Sequence, residues 1–514
     1  MTPWKMPERM VSVLVLLLGG TLLQCGGDEP QKAQRLLITD DFGAVRRCGT
    51  VEAVAGVART IISARPDIVA LDATANGLVN YRSDIGVIVP GGNFDSLLSD
   101  GLEPYEMIVD TLRSRGITVL ANVRMNDHHG ALPQWTAWER EHTGWSLGKD
   151  TGARDWKSIG ALRQMDYAIE GVRAYRLSIL KEILARFAVD GLQLDFGRTA
   201  PFLSEPKTTN ARFLTAYVRS VRALLDDAAR GRGSGKLLLG ALVPWDADVC
   251  AREGMELRLW AEEGLIDYLS PGEWYYADWN IPLDRWKEIL RQTDCRLYPF
   301  TPGNVSPYQV FEYGEPSLLG ENRVLDGPKL RAIADNVMAQ DPDGFALYNF
   351  YTFDFGQYYP ELRAWTNPRE TVRMSKHYFN CRRLVYHANE RETFDIGAAF
   401  ERSLLREAGD RAARTFRFST HPGARGATLR CVFKEMGDGD EILVRVNGVS
   451  LAPDSVTARI VVQRGDRSFV VRFWSCSLGM PPLRLGENVI EWELAKRVGS
   501  EPIALGEFEI VVEP

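Results

Sequence analysis

A chain of 514 residues, 45% hydrophobic and 25% charged, carries enough apolar material for a large core and too much chain for one ordinary core, so two or more domains are expected. The formal net charge of -7 offers no general attraction to phosphate backbones, and basic residues are nowhere gathered into a block, which argues against nucleic acid as a partner. Seven cysteines, at 25, 48, 250, 295, 381, 431 and 476, stand without any CxxC pair, so no zinc-finger type of metal cluster is expected.

At the N-terminus, Lys5 and Arg9 precede the apolar run "MVSVLVLLLGGTLL". A charged start followed by a short apolar core reads as an export signal over residues 1–24, and about 14 residues is short for a membrane span. Cys25, after "LLQ", resembles the acylated cysteine of bacterial lipoproteins, although Gln24 stands where that pattern prefers a small residue. The expected location is the cell envelope, or the medium if the chain is cleaved and released. Contact with a membrane is expected only through a lipid anchor at Cys25.

From Arg35 to about Thr371, short apolar runs alternate with longer amphipathic stretches, the rhythm of parallel strands joined by helices. Eight candidate strands follow in order: "RLLITDDFG", "DIVALDATA", "ITVLANVRMND", "VDGLQLDFGR", "KLLLGALVPWD", "IDYLSPGEWYY", "RLYPFTPGN" and "DGFALYNFYTFD". Eight is the number that closes an α/β barrel of the (β/α)8 type, expected over residues 30–375. The clearest helix precedes the fourth strand, where Ile169, Val172, Arg176, Ile179, Ile183 and Phe187 recur at spacings of three and four. Asp166 is the N-cap expected for it. After a linker over 376–397, alternating runs such as "ATLRCVFK", "EILVRVNGVSL" and "NVIEWEL" predict an all-β sandwich over 398–514, resembling the jelly-roll accessory modules of carbohydrate-active enzymes. No internal repeat is evident.

In the fourth run, alternation places Gly191, Gln193, Asp195 and Gly197 on one face and Leu192, Leu194 and Phe196 on the other. A strand with helices over its apolar face and a barrel interior on its polar face satisfies that pattern. Functional groups of such barrels gather at the C-terminal strand ends. There the sequence puts Asp40 and Asp41, Asp72, Arg124, Asn126, Asp127, His128 and His129, Asp195, Arg198, Trp245 and Asp246, Glu273 and Trp274, and Tyr351 with Asp354. The two histidines are adjacent and point apart on an extended chain, so they do not share a metal, and no metal or cofactor is expected. Phosphate-loop, GxSxG and HExxH motifs are absent.

The stretch "MDYAIEGVRAYRLSILKEILARFAVDGLQLDFGR" resembles the bacterial envelope proteins called glycosyl-hydrolase-like family ten, with Asp166, Val172, Arg173, Tyr175, Asp190, Gly191 and Asp195 at the positions of their strand-four signature. The resemblance covers mainly residues 35–375, and it implies a (β/α)8 fold and a glycan substrate. Cleaving a glycosidic bond takes two carboxyl groups, one to protonate the leaving oxygen and one to attack, stabilise or activate water. Asp195 is the candidate for the second role. Glu273 is the candidate proton donor, because Trp274 and Tyr275 beside it would desolvate the carboxyl. Asp41, Asp72 or Asp246 follows if Glu273 fails. Asp41, Asp72, Arg124, Asn126, His128, Arg198, Trp245, Trp274 and Tyr351 are the candidate sugar-binding residues. The rival expectations are a carbohydrate-binding envelope protein without catalysis, a structural lipoprotein that holds a partner on its sandwich, and a glycosidase of peptidoglycan.

Overall fold

The eight apolar runs become eight parallel strands, here labelled β1 (Arg35–Asp40), β2 (Ile68–Ala75), β3 (Thr118–Arg124), β4 (Gly191–Asp195), β5 (Leu238–Pro244), β6 (Tyr268–Gly272), β7 (Phe300–Pro302) and β8 (Gly344–Tyr348). The computed structural model describes residues 35–513 apart from 76, 90, 127–136, 148–163, 199, 275–276, 306–322, 351, 380–383, 386–393, 396–403, 421–425, 457–459 and 465–466. Each strand pairs with the next, and β8 pairs with β1, so the sheet closes into a (β/α)8 barrel. Closure leaves no barrel edge unpaired.

The helices form where the 3.6-residue period predicts. Glu170–Arg186 buries Val172, Ile179, Leu180, Ile183 and Leu184, with Arg176 inside the same stripe. Its N-cap position is Ile169, not Asp166. Asp166 instead accepts the N–H groups of Ala168 at 2.8 Å and Ser204 at 3.2 Å, tying the start of the helix to the loop after β4.

A repeat runs around the base of the barrel. The residue just before each even strand is an aspartate: Asp67, Asp190, Asp267 and Asp343. Each accepts on its carboxylate the N–H of a residue at the start of the preceding odd strand or just before it: Leu36, Val119, Leu239 and Leu297, at 2.8–2.9 Å. Each also returns its own N–H to that residue's carbonyl at 2.7–3.0 Å. Cations brace these carboxylates, with Arg363 on Asp67, Arg113 on Asp190, and Arg222 and Lys236 on Asp267. The device supplies partners to backbone N–H groups where strands enter the barrel.

Beyond the barrel, two antiparallel sheets face each other. In one, Ala427–Lys434 lies between Arg467–Leu478 and Ile503–Val512. In the other, Gly486–Lys496 lies between Arg411–Phe418 and Glu441–Val446. Lys376–Phe379, at the start of the expected linker, is itself a sandwich strand paired with Ile503–Val512. The outward face of the second sheet carries Ala413, Thr415, Leu443, Arg445, Glu491 and Glu493, with no aromatic ring among its described residues. The seam with the barrel is built for bracing. Trp279, 1% exposed, packs on Tyr378, Phe416 and Phe508. Beside it the buried pair Lys376 and Asp335 meets at 2.9 Å.

Cys48, Cys250, Cys295, Cys431 and Cys476 are buried free thiols, while Cys25 and Cys381 lie outside the described residues. Among the described residues no helix is long and apolar enough to cross a membrane, and no group of His, Cys, Asp and Glu is arranged to hold a metal ion.

Candidate active site

The polar face of β4 opens onto a hydrogen-bonded stack inside the barrel. Gln193 donates from Nε2 to Thr39 Oγ1 at 3.0 Å and to Asn122 Oδ1 at 2.9 Å, and it accepts the Tyr268 hydroxyl at 2.7 Å. Tyr268 reaches it only because β5 has glycine at position 240, where a Cβ would fall 1.9 Å from the tyrosine ring. Asn122 in turn donates to Asp72 Oδ1, and Arg124 Nε stands 2.7 Å from Asp72 Oδ2. A second Arg124 nitrogen reaches Asn349 Oδ1 at 3.4 Å. Every member of this chain is buried, so the bonds offset the cost of withdrawing polar groups from water.

Asp195 closes β4 one layer nearer the mouth and is wholly buried. Its Oδ2 accepts the Tyr348 hydroxyl and its Oδ1 the N–H of Gly197, each at 2.9 Å. Burial, and then the Asp195 charge, push the Tyr348 hydroxyl well above its ordinary range, so it stays protonated and donates. Gly197 is needed for close approach: a Cβ there would sit 2.4 Å from Leu242 and 3.2 Å from Asp195 Oδ1.

Carboxyls at neighbouring strand ends resist ionisation. Asp72 is pushed up to about 8 by burial and by the charges of Asp41 and Asp195, against the pull of Arg124 and the Asn122 hydrogen bond. Asp40 is pushed up to about 7 by burial and by Asp41, against the Phe42 N–H and Arg124. By alternation Leu37 and Thr39 face the interior and Asp40 does not; its Oδ1 turns back onto the N–H of Phe42 at 2.8 Å. Asp41 is half-buried and accepts the Gly43 N–H at 2.9 Å.

The remaining candidates fall into distinct places. Glu273 is 3% exposed at the end of β6. On that strand Tyr268, Ser270 and Gly272 form the inner series, which Trp274, not Glu273, continues. Trp274 packs against the interior apolar cluster, and the Arg198 guanidinium lies 4.6 Å from its ring centroid, so one indole face is covered by a cation. Asn126 ties loops together, donating to the carbonyls of Met165 and Pro201 and accepting the Met165 N–H. Trp245 is half-buried beside β5, and its carbonyl accepts the Trp286 indole N–H at 3.0 Å. Asp246 caps the helix Ala247–Arg252 through the N–H groups of Asp248 and Val249. His128, Tyr351, Asp127, His129 and Tyr275 lie outside the described residues.

Of the strand-four signature, only Asp195 has its carboxylate in this constellation. Arg173 binds the carbonyls of Tyr167 and Ala168, Tyr175 stacks on Trp138 at 3.8 Å, and Asp190 belongs to the basal repeat. At Gly191 a Cβ would lie 2.0 Å from the Leu238 carbonyl oxygen. Tyr348 was not among the candidates, although its place at the end of β8, in phase with Ala346, was available as a signal.

No family model matches the chain. The glycosyl hydrolase DigH of Escherichia coli strain K12 is 21% identical over 280 residues, covering 46% of this chain and 60% of the relative. The DigH protein of Shigella flexneri matches to the same extent, so the alignment spans about three fifths of the length of these curated relatives. Among solved structures, the α-L-fucosidase isoenzyme 2 from Paenibacillus thiaminolyticus gives a TM-score of 0.44 at 10% identity, covering 67% of this chain and 51% of that one. The PgaB (BpsB) glycoside hydrolase domain from Bordetella bronchiseptica gives 0.43 at 12% identity, covering 65% and 99%.

Proposed function

We propose that this chain is an exported glycoside hydrolase that cleaves an oligo- or polysaccharide at the C-terminal face of its barrel. The observation that carries the reading is Asp195: a carboxylate on the inner side of a barrel strand end, fixed by two hydrogen bonds, with other carboxyls ending nearby strands. The resemblance to glycosyl-hydrolase-like family ten and the name of the curated relatives support it, and the export signal over residues 1–24 with Cys25 as a lipid anchor supports an envelope location.

In this mechanism Asp195 acts on the anomeric side, as nucleophile or as base toward water. The Tyr348 hydroxyl and the Gly197 N–H hold it aimed. Glu273, buried at the end of β6, donates the proton to the leaving oxygen. A second assignment gives the acid role to Asp41, which is more exposed than Glu273 and lies in phase with the inward Thr39. Arg198, whose guanidinium covers Trp274, holds sugar hydroxyls, and Arg124 acts from inside the stack through Asp72.

The test is product release from a panel of plant, algal and cell-wall glycans, peptidoglycan strands included. Asp195→Asn is expected to lower turnover by about 10³-fold or more without loss of fold. Whichever of Glu273→Gln and Asp41→Asn removes the alkaline limb of the pH profile identifies the acid. An amide variant at Asp195 that works as fast as the parent would end the proposal. A parent that binds glycans and turns none over would establish the carbohydrate-binding reading instead.

A further inference from the structure

We infer that Asn349 is a specificity-determining residue, presenting its side-chain N–H to a hydroxyl oxygen of the sugar unit whose anomeric carbon faces Asp195; the inference rests on the glycosidase reading above. Asn349 follows β8 at the mouth of the barrel, and its backbone N–H donates to the Thr39 carbonyl at 3.0 Å. Along β8 the inner series is Ala346 and Tyr348, so an extended chain would point residue 349 outward. The chain is not extended there: φ is 48°, in the left-handed region that asparagine tolerates better than most residues. That turn brings the amide inward to Arg124, whose guanidinium reaches Oδ1 at 3.4 Å.

Arg124 can only donate, so it fixes which way the amide lies: Oδ1 faces the guanidinium and Nδ2 faces away. No described residue accepts from Nδ2. The residue is 6% exposed, yet this nitrogen is not sealed off in the interior as the unpaired Asn80 Oδ1 and Asn336 Oδ1 are. A nearly buried donor that opens toward the mouth is satisfied by water in the free protein and by a ligand oxygen in a complex.

Short links tie this amide to the Asp195 carboxylate. Tyr348, the residue before it, donates to Asp195 Oδ2 at 2.9 Å, and Arg124 is the register neighbour of Asp195 on the adjacent strand. Asn122 and Gln193, two residues earlier on the same strands, bond to each other inside the barrel, so Arg124 and Asp195 share that inward face. Asp72 holds Arg124 Nε at 2.7 Å and thereby keeps the guanidinium where Asn349 meets it. Carboxylate and amide thus belong to one layer of the mouth, and a sugar unit seated against the first is offered the second. A sugar lacking the matching hydroxyl leaves the donor unpaired, which is how a polar site rejects a deoxy analogue.

The experiment compares the full-length parent with Asn349→Asp, which keeps the backbone conformation and the acceptor for Arg124 but withdraws the donor. Asn349→Gly keeps the conformation alone and serves if the aspartate variant does not fold. The probes are nitrophenyl glycosides of common hexoses, their monodeoxy counterparts and the glycan panel above. On substrates that the parent cleaves, the variants are expected to lose about 10- to 100-fold in kcat/KM, with Tm within a few degrees. The parent should reject one monodeoxy glycoside by a similar factor, and the variants should treat it and the full sugar alike within about 3-fold. Variants that keep the parent's discrimination, or its full kcat/KM, would overturn the inference and leave the hydrolase reading standing. If the parent turns no glycan over, that reading fails and affinity decides this one. Glycan binding weakened about 10-fold in Asn349→Asp then supports it, and equal affinity, or no binding by the parent, overturns it.

Discussion

The Tyr348 hydroxyl donates to Asp195 Oδ2 at 2.9 Å, joining β8 to β4 across the barrel between residues 153 positions apart. That bond favours the ionised carboxylate and removes one rotational option from it. Tyr348→Phe is expected to lower kcat about 10- to 100-fold with little change in KM, and to move the acid limb of the pH profile upward. A carbon-13 titration of Asp195 in parent and variant reads the same shift without substrate. An unmoved titration would mean that the tyrosine only packs.

Asp40 and Asp72, raised to about 7 and about 8, make stability depend on pH in an unusual direction. Below the ordinary carboxylate value of 3.8 both states hold these protons, and the stability that they contribute is fully present. Above it the unfolded chain releases them while the folded chain retains them. The contribution is then lost as pH rises toward 7 and 8, at up to about 1.4 kcal/mol per pH unit for each group. Asp40→Asn cannot ionise, so urea unfolding between about pH 5 and 7 should show a shallower fall than in the parent. Equal slopes would contradict a protonated Asp40.

The basal repeat predicts graded losses. Asp190→Ala leaves the Val119 N–H without its acceptor and Arg113 without its carboxylate, at a cost of about 1–3 kcal/mol. Asp190→Asn keeps an acceptor oxygen and should cost less. Denaturant midpoints measure both, and Asp67, Asp267 and Asp343 should follow the same order.

Gly240→Ala should be costly for a residue that gains one methyl group. The methyl would overlap the Tyr268 ring, and moving that ring takes the donor from Gln193 Oε1 at the centre of the stack. Overpacking and a lost buried hydrogen bond together predict about 2–4 kcal/mol of destabilisation in chemical unfolding. A neutral result would show that the stack repacks freely.

At the seam, Lys376→Met strands the buried carboxylate of Asp335, which keeps only its threonine donors. A loss of about 3–5 kcal/mol is expected, with the double change Asp335→Asn and Lys376→Met recovering part of it. Calorimetry should show the sandwich melting apart from the barrel in the single variant. One unchanged cooperative transition would count against a bracing role.

The eight strands, the main helices and the sandwich were legible because periods of 2 and 3.6 are written locally, residue by residue. The same alternation placed Asp195 and Gln193 on one face. Trp279 shows where that reasoning stops: it follows the sixth strand in the sequence as Trp274 does and packs in the seam, because nothing local distinguishes a ring that meets a sugar from one that meets another domain. Trp274 is similar, with Arg198 from the β4 loop stacked on its ring. The basal aspartates stand directly before every even strand in the sequence, but what they do depends on a partner on the neighbouring strand, which no local pattern shows.

By itself, then, the sequence determined the barrel, its C-terminal sandwich and a carboxylate at the end of β4, since backbone geometry turns side-chain order into faces. Only the tertiary structure decided that Tyr348 holds that carboxylate, that Asp72 lies against Arg124, and that Asp246 caps a helix. Those outcomes depend on which strands close the barrel together and in what register, a property of contacts between distant residues that no local period encodes.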